Sequence, residues 1–308
     1  MKTYYILYNP LSASGFGERL AHNLDTILTE VNIRYQSLID IPDMYFFLES
    51  LEPDATPVLT GGDGTICRFI NALGGEVPKR DILYFPAGSG NDFLNDLGRS
   101  EETEPFLLNP YLENLPRIHF NGRSMVFLNG VGYGIDGFVC EKVAARRRQG
   151  KRADYTLEAL KGLLYAYKRT SATVTVDGET YTFKHVWMTP TMNGRFFGGG
   201  MMCAPAQDRL NAEHTVSLMV MRSGSKFRTL LLFPSIFNGG HVKAKRVVTM
   251  YPGHHIHVSF DHPTALQIDG EVYSDVREYT VTTAVADGRL GAKEDSRSQK
   301  NRNLHPVH

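Results

Sequence analysis

The sequence predicts an α/β protein of two domains, an N-terminal βαβ domain followed by an antiparallel β-sandwich or barrel. The chain has 308 residues, more than one ordinary hydrophobic core accommodates. Strand and helix patterns alternate over the first third, then give way after about residue 120 to short period-two runs punctuated by Gly, Asp and Pro. Charge divides at the same place: residues 1–120 hold 8 Lys/Arg against 17 Asp/Glu, a balance of −9, which leaves +9 for the rest of a chain with 33 of each.

Each element has its own signal. "TYYILYNP" is an apolar strand ending in a turn, and "GFGERLAHNLDTILTE" has helical spacing at Leu20, Leu24, Ile27 and Leu28. "NIRYQSLI" is strand-like, "MYFFLESL" helical, "TPVLTGG" a strand, "TICRFINAL" a helix and "DILYFPAG" a strand. Such alternation gives a mainly parallel sheet covered by helices, in which ligands sit beyond the carboxyl ends of the strands. Three of those ends carry marked residues: Asn9-Pro10 with Ser12, Gly61-Gly62-Asp63, and 86–92, "PAGSGND".

From "RSMVFLNGVGYG" to "EYTVTT" the runs read as antiparallel strands, with Asp177-Gly178 and Asp269-Gly270 as tight hairpin turns. One helical stretch from about Gly137 to Arg169 interrupts them, with Leu157, Leu160, Leu164 and Tyr167 at helical spacing. The expected domains are 1–120, 121–286 and a polar tail at 287–308. No apolar run is long enough to span a bilayer, and "MKTYYILYNP" lacks the features of a signal peptide, so the expected location is the cytoplasm. Cys67, Cys140 and Cys203 lack the spacing of a disulfide framework or zinc site.

"GGDGT" carries the strongest chemical signal. Gly61, Gly62 and Gly64 let backbone N–H groups converge on phosphate oxygens, and the helix beginning near Thr65 presents its positive end to the same anion. A plain turn is the competing reading, and neither the P-loop nor the G-x-G-x-x-G spacing is present. Asp63 would repel a bare phosphate, so it binds magnesium, directly or through water, or orients a neighbouring donor. One strand later Ser89 can donate to a phosphate, Asn91 stands where it can cap the next helix, and Asp92 stands close behind.

"NPLSASG", "GGDGT", "PAGSGNDF" and "LQIDGE", in this order, resemble the diacylglycerol kinase catalytic family, especially its soluble bacterial lipid kinases, from Tyr5 to about Glu278. The resemblance implies an ATP-binding α/β domain of the NAD kinase/diacylglycerol kinase type, a β-sandwich lipid-substrate domain, and transfer of the γ-phosphoryl group of Mg-ATP to a lipid hydroxyl. Carried over by position, Asn9, Pro10, Leu11, Ser12, Ala13, Ser37, Gly61, Gly62, Asp63, Gly64, Thr65, Ile66, Cys67, Ser89, Asn91 and Asp92 are the expected nucleotide contacts. Ser89 keeps the hydroxyl of the threonine many members have. Glu271 falls at the catalytic base, with Asp269 beside it as an orienting carboxylate and Asp63 as the third acid. "VDGE" at 176–179 is nearly identical to "IDGE" but matches no family site, which makes Glu179 an internal control.

The resemblance also implies a structural magnesium ion in a loop of the second domain. Here the usual Asp-Gly appears as Glu213-His214, so the expected ligands are Glu213 and the carbonyls of Leu210 and Thr215, with Asp208 as the alternative acid. Upstream, "NGRFFGGGMMCAP" offers either an apolar lip for an acyl chain or strand packing by Phe196, Phe197, Met201 and Met202. His254, His255 and His257 read as rim residues. The basic run at 141–152 is either a solvated helix face or an attraction to anionic lipid.

The expected partner is therefore a lipid substrate at an anionic membrane surface, with no nucleic acid; oligomeric state is open, a homodimer included. The expected reaction is diacylglycerol to phosphatidic acid, and three other functions remain: a kinase for another lipid alcohol such as a sphingoid base or polyprenol, a kinase for a soluble acceptor such as NAD, and a nucleotide- or lipid-binding regulator without catalysis.

Overall fold

The computed structural model describes residues 2–87, 91–99, 103–148 and 167–289. Gly88, Ser89, Gly90, the helical positions Leu157, Leu160 and Leu164, the last residues of the basic run and nearly all of the C-terminal tail lie outside the described residues.

The first sheet has the order β2-β1-β3-β4-β5, with β1 (Thr3–Tyr8), β2 (Asn32–Ser37), β3 (Thr56–Gly61) and β4 (Leu83–Pro86) parallel and β5 (Phe106–Leu107) antiparallel at the edge. Helices α1 (Gly17–Ala21), α2 (Met44–Ser50), α3 (Asp63–Ala72) and α4 (Asp92–Leu97) connect or follow the strands. The inner strands read as unbroken apolar runs because both their faces are buried. Leu7, Leu59 and Tyr84 pack with Ile66, Phe69 and Phe93 on one face, while Ile6, Val58 and Phe85 meet Ala21 and Leu24 on the other.

The helix expected over "GFGERLAHNLDTILTE" is cut short. α1 ends at Ala21 and residues His22–Thr26 continue as a 3-10 turn. His22 Nδ1 bonds Asp25, and the Thr26 hydroxyl donates to the Asn23 carbonyl at 2.9 Å. Such local side-chain bonds compete with the α-helical ladder.

The second sheet holds β6 (Arg117–Phe120), β7 (Arg123–Val126), β8 (Gly130–Tyr133), β9 (Thr170–Val176), β10 (Glu179–Met188), β11 (Thr191–Met192), β14 (Val216–Arg222), β15 (Val248–Gly253), β16 (His255–Ile268) and β17 (Glu271–Thr282). Its order is β7-β6-β17-β16-β8-β11-β14-β10-β9, with β15 beside β14. β16 pairs with β8 at one end and with β9 at the other, so the sheet curls back upon its longest strand. An inner cluster including Phe127, Tyr133, Val174, Leu218, Val258 and Tyr279 fills the curl. The chain enters this sheet at Arg117, a few residues before the expected domain boundary.

Asp177-Gly178 and Asp269-Gly270 are two-residue hairpin turns with left-handed φ of 48° and 92°, and 45° and 91°. α5 (Ile135–Arg148) lies across β16, and α6 (Lys226–Leu232) opens a helical excursion before β15. Phe196–Phe197 (β12) and Met201–Met202 (β13) form a separate small hairpin.

Candidate active site

The first wall of the site is the start of α3. A Cβ on Gly61, whose φ is 153°, would lie 2.3 Å from Thr65 Oγ1, so only glycine lets strand and helix meet here. The Gly61 carbonyl accepts from the Tyr84 hydroxyl at 2.7 Å and from the Ala87 amide at 3.0 Å, which fixes β3 to the end of β4. Gly62 is half-exposed and Gly64 exposed, and among the described residues nothing lies within 4 Å of the place of a Gly64 Cβ. The helix start is therefore open to an anion at these two residues. Ile66 and Cys67, expected to touch nucleotide, are buried in α3, and the Cys67 thiol meets the Asp269 turn instead.

The turn after β1 is held by its own residues. Asn9 Oδ1 accepts from the Leu11 amide at 3.1 Å, and the Ser12 hydroxyl donates to the Asn9 carbonyl at 2.8 Å. A Cβ on Gly17 would fall 1.9 Å from the Asn9 carbonyl oxygen, so this glycine, not singled out in the sequence, brings α1 against the turn. Leu11 is exposed and Pro10 half-buried. Ser37 Oγ and Thr60 Oγ1, at the carboxyl ends of β2 and β3, are buried hydroxyls with no hydrogen-bond partner among the described residues. An acceptor-rich ligand over these strand ends would satisfy them, which fits a nucleotide.

α4 joins the two domains. Asn91 occupies its N-cap position, yet its side chain makes no cap bond; Asp63 accepts instead from the amides of Asp92 at 2.9 Å and Phe93 at 3.4 Å. The capping role expected of Asn91 thus passes to the first residue of α3. Asp92 accepts from the amides of Gly199 and Gly200 at 2.9 and 2.6 Å, in the turn between β12 and β13. One turn on, Asp96 receives Arg195 Nε at 2.9 Å and Arg209 Nε at 2.5 Å, with both Asp96 and Arg209 only 4% exposed. Arg209 also donates to the Leu128 carbonyl and to Asn129 Oδ1. Asp96, Arg195 and Arg209 carried no sequence signal, because they meet through contacts 80 or more residues apart.

The second wall is the Asp269-Gly270 turn. The Asp269 carboxylate accepts from the amides of Leu128, Asn129 and Gly130 at 2.5, 2.8 and 3.0 Å, and its charge acts on the Cys67 thiol of α3 beside it. Glu271, the next residue but one, is exposed at the start of β17, and its charge acts on the Cys67 thiol and the Tyr273 hydroxyl. The sequence-selected acids Asp63, Asp269 and Glu271 are therefore gathered about one helix, α3.

Burial dominates the electrostatics. It pushes Asp63 up to about 8, helped by the like charges of Asp92 and Asp269 and opposed by the amides that Asp63 accepts. Asp92 and Asp269 are raised by burial as well, each against the pull of its amide donors. A cation between phosphate and Asp63 would relieve this repulsion. Among the described residues no three acidic, His or Cys side chains form a metal cluster, so magnesium fits here only with phosphate oxygens and water supplying most of its ligands.

The control turn is built alike and placed elsewhere. Asp177 accepts from the amides of His254, at 3.0 Å, and His255, at 2.7 Å, and Glu179 is exposed. Both aspartates brace a neighbouring strand; only Asp269 does so beside α3.

The second-domain loop does not fit the expected magnesium. The Thr215 carbonyl already accepts from Gln207 Nε2 at 2.9 Å and Asn211 Nδ2 at 3.0 Å, and the same Asn211 amide donates to the Asp208 carbonyl at 2.7 Å. Asp208 Oδ1 accepts from the Leu210 amide at 2.9 Å, and Glu213 is exposed. The Asn211 NH2 stands between the carbonyls of Asp208 and Thr215, so a hydrogen-bond donor occupies the Thr215 carbonyl where a cation was expected.

Phe197 and Met201 of the glycine-rich hairpin are buried, so it packs as strands while its turn amides hold Asp92. His254 and His257 bond Thr283 and Thr280.

Residues 3–114 match the diacylglycerol kinase catalytic domain, and residues 129–286 match the YegS C-terminal NAD kinase beta sandwich-like domain. The chain is 26% identical over 258 residues to the diacylglycerol kinase of Mycobacterium tuberculosis, covering 79% of this chain and 81% of that one. It is 24% identical over 233 residues to YtlR of Bacillus subtilis strain 168, covering 70% and 73%. A crystal structure of a diacylglycerol kinase from Bacillus anthracis has the same fold, with a TM-score of 0.59, 17% identity and coverage of 92% and 93%.

Proposed function

Since the chain belongs to the diacylglycerol kinase catalytic family, we propose that it transfers the γ-phosphoryl group of Mg-ATP to the hydroxyl of a membrane lipid, converting diacylglycerol to phosphatidic acid. The observation that carries this reading is the contact between the Asp269 turn and α3, which sets Glu271 of one domain beside the helix that opens with Gly62-Asp63-Gly64 of the other.

The nucleotide phosphates lie over the open start of α3, where the amides near Gly62 and Gly64 and the helix end offer positive charge. Ser37 and Thr60 carry buried hydroxyls at the ends of β2 and β3, on either side of β1. When bound, magnesium neutralises phosphate charge, and Asp63 is the residue here that would hold it. Asp269 fixes the turn, and Glu271, free to meet solvent and substrate, takes the proton of the attacking hydroxyl.

The test is transfer of labelled γ-phosphate from ATP to a panel of lipid alcohols and NAD in mixed micelles. Labelled phosphatidic acid is expected. Labelling of NAD alone, or of no acceptor, would overturn the proposal.

A further inference from the structure

We infer that the helical excursion between β14 and β15 is the surface by which this protein docks on an anionic lipid membrane; this rests on the lipid-kinase reading above. Phe227 and Leu231 of α6 are 70% and 67% exposed, four residues apart and so on one helix face, and Phe237 beyond them is 39% exposed. Large apolar groups gathered on one exposed face mark an interaction site.

Their exposure is built in. Thr229 and Ile236 on the inner side are fully buried, and Ser225 caps α6 by accepting from the Arg228 amide. Arg169 holds the approach to the helix through the carbonyls of Ser223 and Gly224, and His241 Nε2 lies 3.0 Å from the Cys203 carbonyl. The inner face fixes the excursion while the outer face keeps its apolar side chains in water.

Charge selects the partner. No Asp or Glu occurs between Glu213 and Asp261, whereas Lys226, Arg228, Lys243, Lys245 and Arg246 of the excursion are all exposed. Aromatic and aliphatic side chains flanked by cations and free of acids suit the headgroup boundary of a bilayer containing anionic lipid. The same segment leans on the glycine-rich hairpin: a Cβ on Gly239 would meet Pro205 at 2.6 Å and Met202 at 3.0 Å, and the hairpin's turn amides hold Asp92. Docking here would bring the interdomain cleft to the source of an acyl-chain substrate.

The experiment is sedimentation of the full-length protein with vesicles of phosphatidylcholine alone or with one third phosphatidylglycerol, lacking diacylglycerol and nucleotide, so that binding is scored apart from kinase activity. Binding to the anionic vesicles is expected, at least tenfold weaker for Phe227→Ser/Leu231→Ser. Lys243→Ser/Lys245→Ser/Arg246→Ser should remove most of its salt dependence. Phe227→Trp supplies a second reading, a blue shift of emission on adding vesicles, against the single native tryptophan, Trp187, which is fully buried. Wild-type protein that stays in the supernatant, serine variants that bind like wild type, or loss of self-association rather than of vesicle binding in the serine variants would each overturn the inference. Vesicle binding without lipid phosphorylation would leave this surface standing and remove the kinase reading.

Discussion

The Cys67 thiol of α3 stands beside the Asp269 carboxylate of the β16–β17 turn, where burial and the charge of the carboxylate push the thiol pKa up and a thiol–carboxylate hydrogen bond is within reach. This contact brings together the helix that opens at Asp63 and the strand that opens at Glu271, though more than 200 residues separate them in the chain. Cys67→Ser keeps a donor and should leave kcat near wild type. Cys67→Val removes it, and a several-fold fall in kcat with a stability loss of about 1 kcal/mol is expected by denaturant titration.

Glu271→Gln should lower phosphoryl transfer by roughly 10²–10⁴-fold, the usual worth of a general base, with ATP binding retained. Glu179→Gln, in the twin turn braced on His254 and His255, should change neither. Equal losses in the two variants would refute the assignment of Glu271.

Asp63 links activity to stability. Its carboxyl stays protonated up to about 8 in the folded chain against 3.8 as a free side chain. Between those pH values the unfolded state releases a proton that the folded state keeps, so stability falls as pH rises through this window and changes no further from this group above it. Asp63→Asn should therefore raise Tm more at pH 8 than at pH 5 while abolishing transfer. A Tm gain independent of pH would show that burial does not hold this proton.

Asp96 lies between Arg195 and Arg209, and Arg209 is almost wholly buried. Replacing one partner of such a pair leaves the other charge uncompensated, so Asp96→Ala should cost about 3–5 kcal/mol in urea unfolding. The double variant Asp96→Ala/Arg209→Met should recover part of that loss.

The amide of Asn211 takes the place of a cation between the carbonyls of Asp208 and Thr215. Chelation should leave the wild-type Tm unmoved. Asn211→Asp removes both N–H donors and turns a carboxylate toward two carbonyls; its Tm should fall, and magnesium should restore part of it. A wild-type Tm that drops with chelator would contradict the role given to Asn211.

What was legible in the sequence was local. Unbroken apolar runs gave the buried parallel strands, period-two runs the antiparallel ones, and Asp-Gly the two tight turns, since each follows from neighbouring residues alone. One misread piece was a local competition, since His22 to Thr26 bond one another and end α1 early; the other was tertiary, since Asn91 yields its cap to Asp63 on the preceding helix.

By itself the sequence determined that a glycine-lined helix start follows a buried strand and that a carboxylate follows a hairpin aspartate, because steric freedom at glycine and turn chemistry need no distant partner. Only the tertiary structure decided that Asp269 rather than Asp177 stands beside α3, that Asp92 and Asp96 fasten α4 to the second domain, and that an asparagine fills the loop where a metal was expected. Those outcomes depend on hydrogen bonds and charges between segments remote in the chain, whose pairing is set by how the two sheets pack.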